Sequence, residues 1–134
     1  MSNLYKKIGE MEYDGLISDT VPQVQVRAGT IRKLGTAATL KRGTIMAKSS
    51  GTAGDGKLVV LGTTAATNET LTADCILTDD VEVGTAADVA TTVYTAGCFD
   101  SGKTIVKSGY TVTEADKNAL RQYGIVFKDK YAAN

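Results

Sequence analysis

A mainly β fold with one late helix is predicted by three features of this 134-residue chain. Short apolar and β-branched runs recur between glycine-rich turns from residue 23 onward, the spacing of strands and not of helices. One helix signal stands near the end: Thr113-Glu114-Ala115-Asp116 is a capping-box variant, and Gly124 sits where a left-handed C-cap would. Residues 1–20 mix charges with scattered apolar side chains and carry neither pattern. The expected architecture is a small compact β domain, tulip-like or sandwich-like, over residues 21–134. One short C-terminal helix and an extended N-terminal arm over residues 1–20 complete it.

The arm carries Leu4, Tyr5, Ile8, Met11, Tyr13, Leu16 and Ile17. Leu4, Ile8 and Met11 would share a helical face, but Gly9 and Gly15 interrupt and no cap precedes them. So many apolar residues in a short charged stretch suit a segment that orders against a partner, and these seven are its candidate contacts. Pro22 then restricts Val21 to an extended conformation. Residues 23–28 alternate polar and apolar, the period of a half-buried strand.

Residues 36–40 lie between Gly35 and a Lys41-Arg42-Gly43 turn, and 44–47 form the next strand. Residues 49–56 are a loop by composition. The continuous apolar run 57–61 predicts a strand buried on both faces, and 63–72 a second polar loop. Residues 73–77 and 81–83 are strand-like around an Asp79-Asp80 turn. In the following strand Val89, Thr91, Val93 and Thr95 share one face; Ala90, Thr92, Tyr94, Ala96 and Cys98 share the other. The pattern leaves open which face is buried. Residues 104–107 read as a short strand before the Ser108-Gly109 turn. The helix places Ala115, Ala119, Leu120 and Tyr123 on one face, and Gly124-Ile125-Val126-Phe127 closes the domain as a strand.

By length this is one domain, able to bury roughly two-thirds of its unfolded surface. No apolar run approaches the roughly 20 residues of a membrane span, so no membrane partner is expected. The first residues lack the apolar stretch of a signal peptide, and the expected place of synthesis is a cytoplasm. Net charge is zero but uneven: +4 over residues 1–48, −7 over 49–100 and +3 over 101–134. No segment has the dense basic stripe that a phosphate backbone requires, so nucleic acid is not an expected partner. Cys75 and Cys98 lie in apolar β-like segments and are expected as free thiols.

Histidine is absent, which removes the usual general base, the usual zinc ligand and every Ser-His or Cys-His nucleophile pair. Asp74, Asp79, Asp80, Glu82 and Asp88 cluster in sequence but miss the calcium-loop pattern, and Asp-Asp at a turn is ordinarily solvated. Gly51 to Lys57 has the G-x-x-x-x-G-K spacing of a phosphate loop. Leu58 stands where the magnesium-binding Ser or Thr is required, and a strand follows where a helix is needed. No catalytic, cofactor or metal site is expected.

Four stretches in order carry a family resemblance: Leu40-Lys41-Arg42-Gly43-Thr44-Ile45-Met46, Cys75-Ile76-Leu77-Thr78-Asp79-Asp80-Val81, Thr92-Val93-Tyr94-Thr95-Ala96-Gly97-Cys98-Phe99, and the Thr113 helix running into Leu120-Arg121-Gln122-Tyr123-Gly124-Ile125-Val126-Phe127. Across roughly residues 20–130 the chain resembles the bacteriophage head decoration proteins, small capsid-stabilising proteins of tailed phages. The resemblance implies a homotrimer on the exterior of the virion. It would bind the major capsid protein of the expanded shell and hold that shell against the pressure of packaged DNA. It also implies an arm that orders on the capsid, a part that falls here to residues 1–20. The alternatives are a β module for a cell-surface or carbohydrate ligand, and another virion part such as a head–tail adaptor.

Overall fold

The computed structural model describes residues 15–19 and 22–128. In chain order these form β1 (Ile17–Asp19), β2 (Gln25–Ile31), β3 (Ala38–Leu40), β4 (Ile45–Ser50), β5 (Leu58–Val60), β6 (Thr70–Leu77), β7 (Val81–Val83) and β8 (Val89–Asp100). A 3₁₀ turn (Ser101–Lys103), the helix α1 (Glu114–Tyr123) and β9 (Ile125–Lys128) follow. Among the described residues the protein is mainly β with one α-helix near the C-terminal end, as its patterning predicts.

Strand β8 organises the rest. Its first part pairs antiparallel with β2, from Val89 opposite Ile31 to Ala96 opposite Gln25. On its other side Val93 and Tyr94 meet Leu77 and Ile76 of β6. Strand β2 touches β5 in parallel at Ile31 and Leu58, β5 pairs with β4, and β4 pairs with β6. Five strands thus close into a barrel-like ring. The last part of β8 leaves the ring and is flanked by antiparallel β1 and parallel β9. Strands β3 and β7 form a separate two-stranded ribbon.

Gly97 makes this change of partners possible. Its φ of 147° lies where L side chains rarely go, and a Cβ there would sit 3.1 Å from the Phe99 ring. Just before it, Val26 faces Tyr94 while Gln25 faces Ala96, so Thr95 is an extra, bulged residue. The bulge raises the local twist, and β8 turns out of the ring.

Two hydrophobic clusters lie on opposite faces of the same strands. Ile31, Met46, Leu58, Cys75, Leu77 and Val93 come from all five ring strands and fill the interior, with Val83 closing it. Ile45, Ala47, Val59, Ala73, Ile76 and Tyr94 point outward and are covered by Leu16, Phe99, Leu120 and Ile125. Adjacent residues of β5, Leu58 and Val59, belong to different clusters, so this strand is buried on both faces as expected. The ambiguity along β8 is resolved in two parts. In the ring its Val89–Val93 face is inward and Ala90 and Thr92 are exposed; beyond Tyr94 both faces are covered.

The helix obeys its sequence signals. The Thr113 hydroxyl accepts from the Asp116 amide at 3.1 Å, the Asp116 carboxylate accepts from the Thr113 amide at 3.0 Å, and Gly124 adopts the left-handed cap. Its apolar face is narrower than predicted: Leu120 is fully buried, whereas Tyr123 is 55% exposed. Residues 104–107 do not form a strand. They make a single parallel bridge, Thr44 to Ile105, before Lys107 crosses to bond the Leu61 carbonyl. Strand β6 begins at Thr70, inside the stretch expected to be loop, because β4 extends to Ser50 and pairs with it.

Gly62 marks a close crossing in this region. Its φ is 104°, and a Cβ would lie 2.6 Å from the Tyr110 Cβ, which cannot swing away. Gly62→Ala is expected to cost about 1–3 kcal/mol. The check is thermal melting, with a fall of roughly 5 °C or more for a domain of this size.

Both cysteines are free and buried. Cys75 lies in the ring interior, where burial pushes its thiol well above the usual range, and the neighbouring Asp74 carboxylate adds to this. The Cys98 sulfur lies 3.4 Å from the Ser18 hydroxyl oxygen. Cys75 is therefore expected to resist alkylation in the native protein near pH 8 and to react at once in denaturant, which mass spectrometry after iodoacetamide checks.

Candidate functional site

The two ends of the described chain meet at one pole. Ile17 at the start of β1 lies opposite Phe99, and Lys128 at the end of β9 lies opposite Asp100. The described chain therefore begins and ends on either flank of the end of β8. The Asp100 amide donates to the Leu16 carbonyl at 2.8 Å, while its carboxylate accepts from the Gly102 amide at 2.8 Å and caps the 3₁₀ turn. Lys128 and Asp19 form an ion pair of 3.8 Å between β9 and β1. Beside β9 a cleft of about 240 Å³ opens toward α1, lined by Ser101, Glu114, Lys117, Arg121, Ile125, Val126 and Phe127.

Of the seven candidate arm contacts, Leu4, Tyr5, Ile8, Met11 and Tyr13 lie outside the described residues. Leu16 and Ile17 lie inside the domain. Leu16 is 2% exposed in the outer cluster, Ile17 packs against that cluster, and β1 is hydrogen-bonded to β8. This corrects the expected boundary at residue 21: the domain takes in Gly15 to Asp19. The reason is tertiary, since only the covered face of Phe99 and Ile45 makes Leu16 a core residue.

The five clustered carboxylates are dispersed. Asp74 is the bulged residue of β6, buried and ion-paired to Arg27. Asp80 accepts from the Arg42 amide at 2.8 Å and lies 3.6 Å from Lys41. Asp88 accepts from the Lys33 amide at 2.8 Å and pairs with Lys57, while Asp79 and Glu82 are exposed. Residues 51–57 form the loop of the β4–β5 hairpin, closed by the Gly56 amide on the Ser49 carbonyl at 3.0 Å. It opens no helix.

The opposite pole holds a polar network that sequence reading missed. Arg32 makes two 2.9 Å bonds to Asp55 and a third to Glu69. Glu69 also accepts from the Ala66 amide and the Ser49 hydroxyl. Hydrogen bonds from Arg32 hold the Asp55 carboxyl at about 2; those from Ala66, Ser49 and Arg32 hold Glu69 at about 2. The partners stand 23 and 37 residues from Arg32, so no local pattern signals the network.

Both carboxyls titrate below their unfolded values of roughly 4. Their contribution to stability is present above about pH 4 and disappears as pH falls toward about 2. Melting temperature is expected to drop across that window. In Arg32→Met the drop should be smaller, because the main charged partner of both groups is gone.

A second open feature is the edge of β2. It meets β5 only at Ile31, so residues 25–30 have no described strand on that side, and Val26 is 55% exposed. A long unpaired edge is a template for another strand. Among the described residues no group of three or more His, Cys, Asp or Glu side chains could hold a metal ion.

The described residues form a small, mainly β, barrel-like module with an open strand edge. The family model for bacteriophage lambda head decoration protein D matches residues 5–126, and the chain belongs to that family. It is a phage head decoration protein, a structural component of the virion capsid. No curated protein matches the chain.

Proposed function

We propose that the protein binds the expanded shell as a homotrimer, through the major capsid protein, and stabilises that shell against the pressure of packaged DNA. The observation that carries this reading is the shared exit of the two terminal segments beside the end of β8, which supports one pole as the capsid-facing side. The arm is then residues 1–14, with Leu4, Tyr5, Ile8, Met11 and Tyr13 as its apolar anchors. An extended arm gains backbone hydrogen bonds by adding to an exposed sheet edge, whatever its side chains. Three arms held in one trimer bind with far higher effective affinity than one. A protein that binds only the expanded state stabilises it by mass action. The open β2 edge supports the trimer, since such edges are ordinarily covered.

Co-sedimentation with expanded and with unexpanded shells tests the reading, together with cryo-electron microscopy of the decorated particles. Selective binding to expanded shells, with three copies around each three-fold site, is the expected result. Equal binding to both shells, or single copies at those sites, overturns it.

A further inference from the structure

The arm sequence is not uniform. Residues 4–8 are basic and apolar, with Lys6 and Lys7 between Leu4, Tyr5 and Ile8. Residues 10–14 are Glu-Met-Glu-Tyr-Asp, a strict alternation of three acids with Met11 and Tyr13. That is the period of an extended segment with one acidic and one apolar face. The pole from which the arm departs carries a surface of matching chemistry. The cleft beside β9 is floored by Val126 and Phe127, both half-buried, and rimmed by Lys117 and Arg121. Lys128 follows Phe127 at the end of β9. Glu114 is the opposing charge on the rim, 3.6 Å from Lys117 and largely solvated, and Asp19 partners Lys128.

We propose that residues 10–14 of one copy dock in the β9–α1 cleft of a neighbouring copy, Met11 and Tyr13 against Phe127 and the acids toward Lys117 and Arg121. Residues 1–9 remain to reach the shell. This rests on the trimer reading above and divides the arm between two partners. Docking within one molecule is the competing arrangement, and the Glu12→Cys, Lys117→Cys double variant below separates the two.

The test mixes two full-length variants, Glu12→Cys and Lys117→Cys, at a concentration where sedimentation detects the oligomer, under mild oxidation. A mixed disulfide about tenfold or more above that of Glu12→Cys with Lys48→Cys is expected, because docking raises local concentration. Equal yields for the two pairs overturn the proposal. So does a disulfide confined within single chains of the Glu12→Cys, Lys117→Cys double variant, or a protein that stays monomeric throughout. A charge swap is the second arm of the test. Lys117→Glu with Arg121→Glu should weaken the oligomer, and adding Glu10→Lys with Glu12→Lys should restore it. Loss of shell binding with the cross-link intact would count against the capsid reading alone.

Discussion

Removing residues 1–14 is expected to leave the domain folded while binding to expanded shells falls by about 100-fold or more, the scale on which linked contacts multiply. Removing residues 1–20 should instead unfold or strongly destabilise the protein. The longer cut deletes Leu16, whose burial places it among core leucines worth about 2–5 kcal/mol, and strips β1 from the end of β8. It also orphans the Asp100 amide that donates to the Leu16 carbonyl. Circular dichroism and melting of the two truncations, alongside co-sedimentation, separate the outcomes. Undiminished binding after the short cut would remove the arm from the mechanism. A collapsed fold after the short cut would show that residues before Gly15 belong to the core.

Phe99→Ala is expected to be the most damaging single substitution in the outer cluster. Phe99 is fully buried, its ring centroid lies 5.3 Å from that of Tyr94, and its backbone pairs with both Ile17 and Phe127. Truncation leaves a cavity where β1, β8 and β9 meet and should cost about 3–5 kcal/mol, a large share of the stability of an ordinary domain. Chemical denaturation should report a lower midpoint with an unchanged slope. Because the cavity lies beneath the pole from which the arm leaves, shell binding should weaken too. A loss under about 1 kcal/mol would mean that β1 and β9 are held by other contacts.

Much of the fold was legible because it is local. A strand shows itself by alternation, so β4, β5, β7 and the long β8 stand close to their expected positions. The helix shows itself by its ends, and both the Thr113 capping box and the Gly124 cap form. Family membership was legible too, from four stretches taken in order, none of them specific alone.

The tertiary structure alone decided what depends on who lies opposite whom. Residues 104–107 have strand-like composition but meet β4 for one bridge, so no ladder forms. Leu16 and Ile17 look like the rest of the arm until Phe99 lies beside them. Arg32, Asp55 and Glu69 become a network only when three loops converge at one end of the ring. The sequence by itself determined most of the elements, such as β4, β5, β8 and the capped helix, because backbone preference and side-chain period act over a few residues. Which face of β8 turns inward and why β1 and β9 both flank its end were set by long-range pairing, whose partners are spread across the chain.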